Sequence, residues 1–123
     1  MTPSNRPILL LAALSGILAV GFGAFAAHGM ADPKAQEWLR TGAIYGLAHA
    51  AAALAALPRS RWAPLLMAAG ALVFSGALYG LALGGPRLLG AVAPVGGLAM
   101  LAGWVVLLVT AARAPTPDRP GGS

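Results

Sequence analysis

Four long runs of this chain, residues 8–27, 41–58, 62–86 and 88–112, contain no Asp, Glu, Lys or Arg. A helix crosses about 30 Å of hydrocarbon with roughly 20 apolar residues at about 1.5 Å of rise each, so every run is long enough or nearly so. A Lys or Asp at the bilayer centre costs about 2.5–3.5 kcal/mol, whereas a Leu returns only about 0.3–0.6 kcal/mol. One misplaced charge would cancel roughly five leucines, and the runs hold none. The expected fold class is all-α: an integral membrane four-helix bundle forming a single domain over residues 1–112.

Of 123 residues, 59% are hydrophobic and 9% charged, which leaves almost nothing to build a soluble domain. The net charge of +5 comes from Lys and Arg scattered at the ends of the apolar runs. Such flanks orient spans and meet anionic headgroups; they form no stripe for nucleic acid. The absence of cysteine removes disulfides, thiolate metal sites, thiol catalysis and lipoprotein attachment. Seven Arg against one Lys, with abundant Ala, Gly and Pro, fits a GC-rich bacterial genome.

Helices are expected over about 8–27, 33–57, 62–84 and 94–112, with a disordered tail at 113–123 rich in Pro, Gly and Arg. Asp32-Pro33 is a helix start, an acidic cap followed by proline at the first helical position. Gly84-Gly85-Pro86 breaks the third helix, residues 87–93 read as an apolar connector, and Pro94 reads as the opening of the fourth. The second helix is the weakest span, because its core from Thr41 to Leu57 is mostly Ala and Gly. With four spans, Arg6, Arg59, Arg61, Arg113 and Arg119 share one side; Lys34, Arg40 and Arg87, offset by Asp32 and Glu37, share the other. The positive-inside rule then places both termini in the cytoplasm. A rival reading of the first helix is a signal peptide cleaved near Ala24-Phe25-Ala26, although its apolar run is long for a signal core.

Gly76, Gly80 and Gly84 form a GxxxGxxxG row, and Gly23 sits in a similar row with Ala19 and Ala27. Small residues let backbones approach closely where lipid removes the hydrophobic drive, so these glycines are the expected helix-packing positions. His49 lies near the middle of the second span, and Thr41 and Tyr45 precede it on the same face. Two readings stand side by side. An intramembrane ionisable group is a functional-site candidate, and a neutral imidazole also fixes packing by bonding to a neighbouring helix. With Ser75 and Tyr79 of the third helix, Tyr45 and His49 make up the candidate intramembrane polar cluster. His28 and His49 supply at most two metal ligands. Hydrolase chemistry at Ser15 or Ser75 would need a base and an orienting acid, and the spans contain no acid. No catalytic residue, metal or cofactor is expected.

Four pieces of the chain occur in a recognisable order. They are Gly23-Ala24-Phe25-Ala26-Ala27-His28-Gly29, Thr41-Gly42-Ala43-Ile44-Tyr45 with His49-Ala50, Phe74-Ser75-Gly76-Ala77-Leu78-Tyr79, and Pro94-Val95-Gly96-Gly97 followed by Gly103-Trp104. Together they resemble the YgdD-like family of small bacterial inner-membrane proteins, also described as domain of unknown function 423, with transmembrane protein 256 as an animal relative. The resemblance spans residues 8 to about 110. It implies a four-span integral membrane protein with no established activity. The chain departs from that pattern at Ala26 (for Gly), Gly46 (for Gln), Ala77 (for Ser) and Ala93 (for Thr). Losing a Gln and a Ser thins the polar surroundings of His49.

The leading expectation for function is a non-enzymatic accessory protein or subunit that works through helix packing, with lipid, other membrane proteins or a second copy as partners. The alternative is a homo-oligomeric pore or small-solute carrier lined by the Thr41/Tyr45/His49 face. A lipid- or quinone-binding role for Tyr45, His49 and Tyr79 is a third class.

Overall fold

The computed structural model describes residues 5–115; the expected tail lies, from residue 116 on, outside the described residues. Four helices follow one another: α1 (Arg6–His28), α2 (Pro33–Ala56), α3 (Trp62–Ala82) and α4 (Leu89–Arg113). Their starts and stops have local causes. The Asp32 carboxylate accepts from the Ala35 N–H at 3.0 Å, satisfying one free donor at the start of α2, and Pro33 stands where no N–H is needed. Ser60 does the same for α3 through the Ala63 N–H at 3.3 Å. At the end of α3, Gly84 takes φ +89, and the N–H groups of Gly84 and Gly85 turn back to the carbonyls of Leu81 and Gly80 at 3.1 and 2.7 Å. That pair of bonds is the Schellman stop, which needs a residue tolerant of the left-handed region.

The fourth helix starts earlier than the Pro94 opening suggested, at Leu89, with Pro94 inside it. Residues 87–93 are therefore a turn and a helical segment rather than a connector. The N–H groups of Leu89, Gly90 and Ala91 each bond three residues back at 2.9–3.0 Å, a tight opening turn. Burial pushes the helix back past the proline: Ala93 is buried with Ala77 and Leu78 of α3, and Leu89 and Val92 pack against them. Pro94 itself is exposed, so its ring displaces nothing in the core.

Helix α3 is the centre of the bundle. It packs most extensively on α4 and α2, while α1 lies on α2 and touches α3 less. Buried positions on α2 fall at 35, 39, 42, 46, 49, 53 and 56, alternating steps of four and three that keep one seam turned inward, with Ala50 buried beside it. The interior is made of small residues: Ala26, Ala53, Ala63, Ala68 and Ala71 are fully buried, with Leu39 and Met67 the largest apolar side chains among them. The large apolar residues point outward instead, including Leu10, Ile17, Val20, Leu98, Leu101 and Leu108. This inversion suits a chain solvated by lipid, where burying Leu gains little and close backbone approach gains much.

Three helices, α1, α3 and α4, are long and apolar enough to cross a membrane. Helix α2, expected to be the weakest of four spans, does not meet that measure, so three candidate spans stand where four were expected. Its first turns carry Lys34, Gln36, Glu37 and Arg40, and its remainder is mostly Ala and Gly.

The tightest helix crossing lies between α3 and α4, away from the GxxxGxxxG row. A Cβ on Gly96 would meet the Phe74 N, with the Gly70 O at 2.7 Å and the Phe74 Cα at 2.8 Å. One on Gly70 would lie 2.8 Å from the Met100 N and 2.9 Å from the Gly96 O. By contrast, Gly76 and Gly84 face open space and Gly80 meets only the tip of Leu89. The row expected to pack therefore faces outward at Gly76 and serves to stop the helix at Gly84. Gly23 does face a neighbour, standing 3.5 Å (from its notional Cβ) from the Ala43 Cβ of α2.

Candidate functional site

His49 sits on the buried seam of α2, and both of its ring nitrogens are engaged. The Trp104 indole N–H, which can only donate, points to Nε2 at 3.0 Å. Nε2 must then accept, which puts the ring proton on Nδ1, 2.8 Å from the Tyr45 carbonyl oxygen. The geometry selects one neutral tautomer and ties α2 to α4. Adding a proton at Nε2 would require the Trp104 bond to break. Tyr45 stands outside this pair, 45% exposed, with its ring edge-on to Phe74 at 5.0 Å and stacked toward His49 at 6.0 Å.

A second polar group lies along the same buried seam of α2, at Gly42 and Gly46. Ser75 donates from α3 to the Gly42 carbonyl at 2.7 Å, and Ser15 donates from α1 to the Gly46 carbonyl at 2.9 Å. Gly42 and Gly46 make this possible, because without side chains the helix backbone is reachable from both neighbours. A Cβ on Gly42 would lie 2.6 Å from the Tyr79 ring. The Tyr79 ring stacks on Phe22 at 4.3 Å, and its hydroxyl is buried without a hydrogen-bond partner among the described residues. That hydroxyl looks toward the place where Gly46 has no side chain, 3.4 Å from its notional Cβ, with the Ser75 and Ser15 oxygens at 3.2 and 3.4 Å from the same point.

The expected cluster of Tyr45, His49, Ser75 and Tyr79 is thus divided in two. His49 and Tyr45 face Phe74 and Trp104; Ser75 and Tyr79 face Gly42 and Gly46. The reason is geometric. The two groups lie at different heights on one seam: Gly42 and Gly46 precede His49 by about two turns and one, and Tyr45, beside the seam, meets α3 at Phe74. Ser15 and Trp104 complete the two groups and were missed as partners. The Gly42/Gly46 spacing was a readable signal for the first, since it is itself a GxxxG step. Nothing in the linear order points from Trp104 to His49. His28 is exposed at the end of α1, and among the described residues no three His, Cys, Asp or Glu side chains converge.

Charged groups confined to the ends, a core of small residues and hydroxyls bonded across helices define a small integral membrane protein. Its family is the one described as Protein of unknown function (DUF423), whose model matches residues 22–97, and the chain belongs to it. It is 39% identical to the UPF0382 inner membrane protein YgdD of Escherichia coli K12 over 89% of this chain and 92% of that one. It is 41% identical to a UPF0382 membrane protein of Haemophilus influenzae, over 80% and 88% of the two chains. The UPF0382 membrane protein YwdK of Bacillus subtilis is 36% identical over 88% of this chain and 98% of its own length. No solved structure matches the chain.

Proposed function

We propose that this is a non-enzymatic accessory protein or subunit of a bacterial inner membrane, acting through helix packing. One observation carries the reading: the interior hydrogen bonds of Ser15, Ser75 and His49 all hold α2 in place. Side chains committed in this way are structural supports, and among the described residues they leave no relay of free acids and bases through the bundle. The outer surface of Leu, Ile and Val is then the part that meets other molecules. The rival pore or carrier, lined by Thr41, Tyr45 and His49, would need these three to face one lumen. His49 is 7% exposed and bonded inward, whereas Tyr45 opens to the lipid side. Gentle detergent extraction followed by mass measurement and partner identification separates the two readings. A single copy accompanying a larger membrane protein is the expected result. A partner-free homo-oligomer would overturn it in favour of the pore.

Helix α2 serves as the fourth span in this reading, with both termini cytoplasmic. Arg6, Arg59, Arg61 and Arg113 then lie inside, against Lys34, Arg40 and Arg87 with two acids outside. Lys34 lies 5.6 Å from the Trp38 ring centre, a pairing that suits the headgroup layer at the start of α2. Reporter fusions at Gly85 and at the C-terminus should give opposite sides, the latter cytoplasmic. Equal reports from both would sink the four-span reading.

A further inference from the structure

Helix α4 packs on α3 but barely on α2, which leaves between α2 and α4 a crevice that Trp104 bridges to His49. Two cavities lie along it. One, of about 390 Å³, is lined by Tyr45, His49, Phe74, Gly97, Met100 and Trp104. The other, of about 370 Å³, lies at the end of the helices, between Pro58 and Arg59 on one wall and Leu107 and Thr110 on the other.

We propose that this crevice is a binding site for one anionic phospholipid, its phosphate held at Arg59 and Thr110 and one acyl chain running inward to Tyr45 and Trp104. The dimensions fit. Ten residues separate Trp104 from Ala114, about 15 Å of helix, and one leaflet of hydrocarbon is half of about 30 Å. A chain anchored by its headgroup at Arg59 therefore ends at the aromatic cavity in the middle of the bilayer. The walls change character in the matching sense, from a guanidinium and a hydroxyl at the end to apolar and aromatic groups inside. Gly97 keeps the α4 wall low, so that a methylene chain reaches the face of Phe74. Charge selects the headgroup: Arg59 offers paired donors to a phosphate, and the described acids, Asp32 and Glu37, sit at the opposite end of α2. A zwitterionic lipid would bring an ammonium to a site already holding a cation.

Trp104 reports on the crevice directly, because it forms part of its wall. The full chain carrying Trp38→Phe and Trp62→Phe leaves it as the sole tryptophan. This protein is placed in phosphatidylcholine nanodiscs containing a fixed fraction of either phosphatidylglycerol or phosphatidylcholine with dibrominated acyl chains, which quench tryptophan on contact. The brominated phosphatidylglycerol should occupy the site with about a fivefold preference, the discrimination that one interfacial arginine supplies. Arg59→Gln should abolish the preference, and Arg87→Gln, at the other membrane face, should keep it. Equal quenching by the two brominated lipids would overturn the proposal. So would a preference unchanged in Arg59→Gln, or one lost equally in both variants, which would mark general surface charge rather than the crevice. Retained helical circular dichroism in Arg59→Gln shows that the readout comes from a folded bundle.

Discussion

Gly96→Ala is expected to destabilise the bundle by about 1–3 kcal/mol or more, read as a lower thermal midpoint in detergent. The added methyl would press on the Phe74 N and lie 2.7 Å from the Gly70 O, and both belong to the backbone of α3. A side-chain tip can rotate away; a helix backbone yields only if α3 and α4 move apart. Separation would loosen Gly70 and Gly103, which approach the opposite helix within 2.8 Å of a notional Cβ. Alanine's better helix propensity returns at most about 1 kcal/mol, so the clash wins. Gly76→Ala makes the internal control, since its Cβ meets nothing within 4 Å. It should be neutral or stabilising by up to about 1 kcal/mol. Equal midpoints for the two variants would show that the crossing is not at Gly70 and Gly96.

Replacing His49 separates hydrogen bonding from charge. His49→Lys is expected to be the more damaging change, because it sets a cation near mid-membrane at a cost of about 2.5–3.5 kcal/mol. Lysine has no acceptor, so it would also confront the Trp104 indole donor with a second donor. His49→Gln keeps an acceptor near the Nε2 position and should stay within about 1 kcal/mol of the parent, as interhelical hydrogen bonds average about 0.6 kcal/mol in membranes. The yield of monodisperse protein after extraction, followed by its thermal midpoint, distinguishes the two. If the lysine variant matched the parent, the imidazole would have to lie in water. If glutamine proved as damaging as lysine, the imidazole ring itself, rather than an acceptor for Trp104, would be what the bundle needs.

The all-α membrane class was legible because charge exclusion is a property of composition and needs no knowledge of neighbours. The Asp32-Pro33 start was legible for the same local reason: a cap and its proline act within one turn. Pro94 was misleading as a helix opening, since the burial of Leu89 and Val92 on α3 outweighs a single lost donor. The glycine row on α3 misled in another way. Spacing identifies a face, but which neighbour covers that face depends on how each helix is rotated in the bundle. Gly42 and Gly46 have the same spacing as Gly76 and Gly80, yet only the former meet another helix's hydroxyls. His49 is buried, and its place midway along an uncharged run is visible in the sequence. Its partner is not, because Trp104 lies 55 residues away on a helix that contacts α2 at few points.

The bonds that hold α2 bear on the order in which the protein is made. A chain emerging from its N-terminus delivers α2 before α3 exists. At that stage Ser15 can already reach the Gly46 carbonyl, whereas Ser75 and Trp104, which secure Gly42 and His49, have not been synthesised. Helix α2 also lacks the apolarity that carries its three companions into a bilayer. In the four-span reading proposed above, its residence there would be a property of the assembled bundle, not of the segment. On that reading biogenesis would hold this helix over until its successor arrives, and the hairpin of α2 and α3 would enter as one unit.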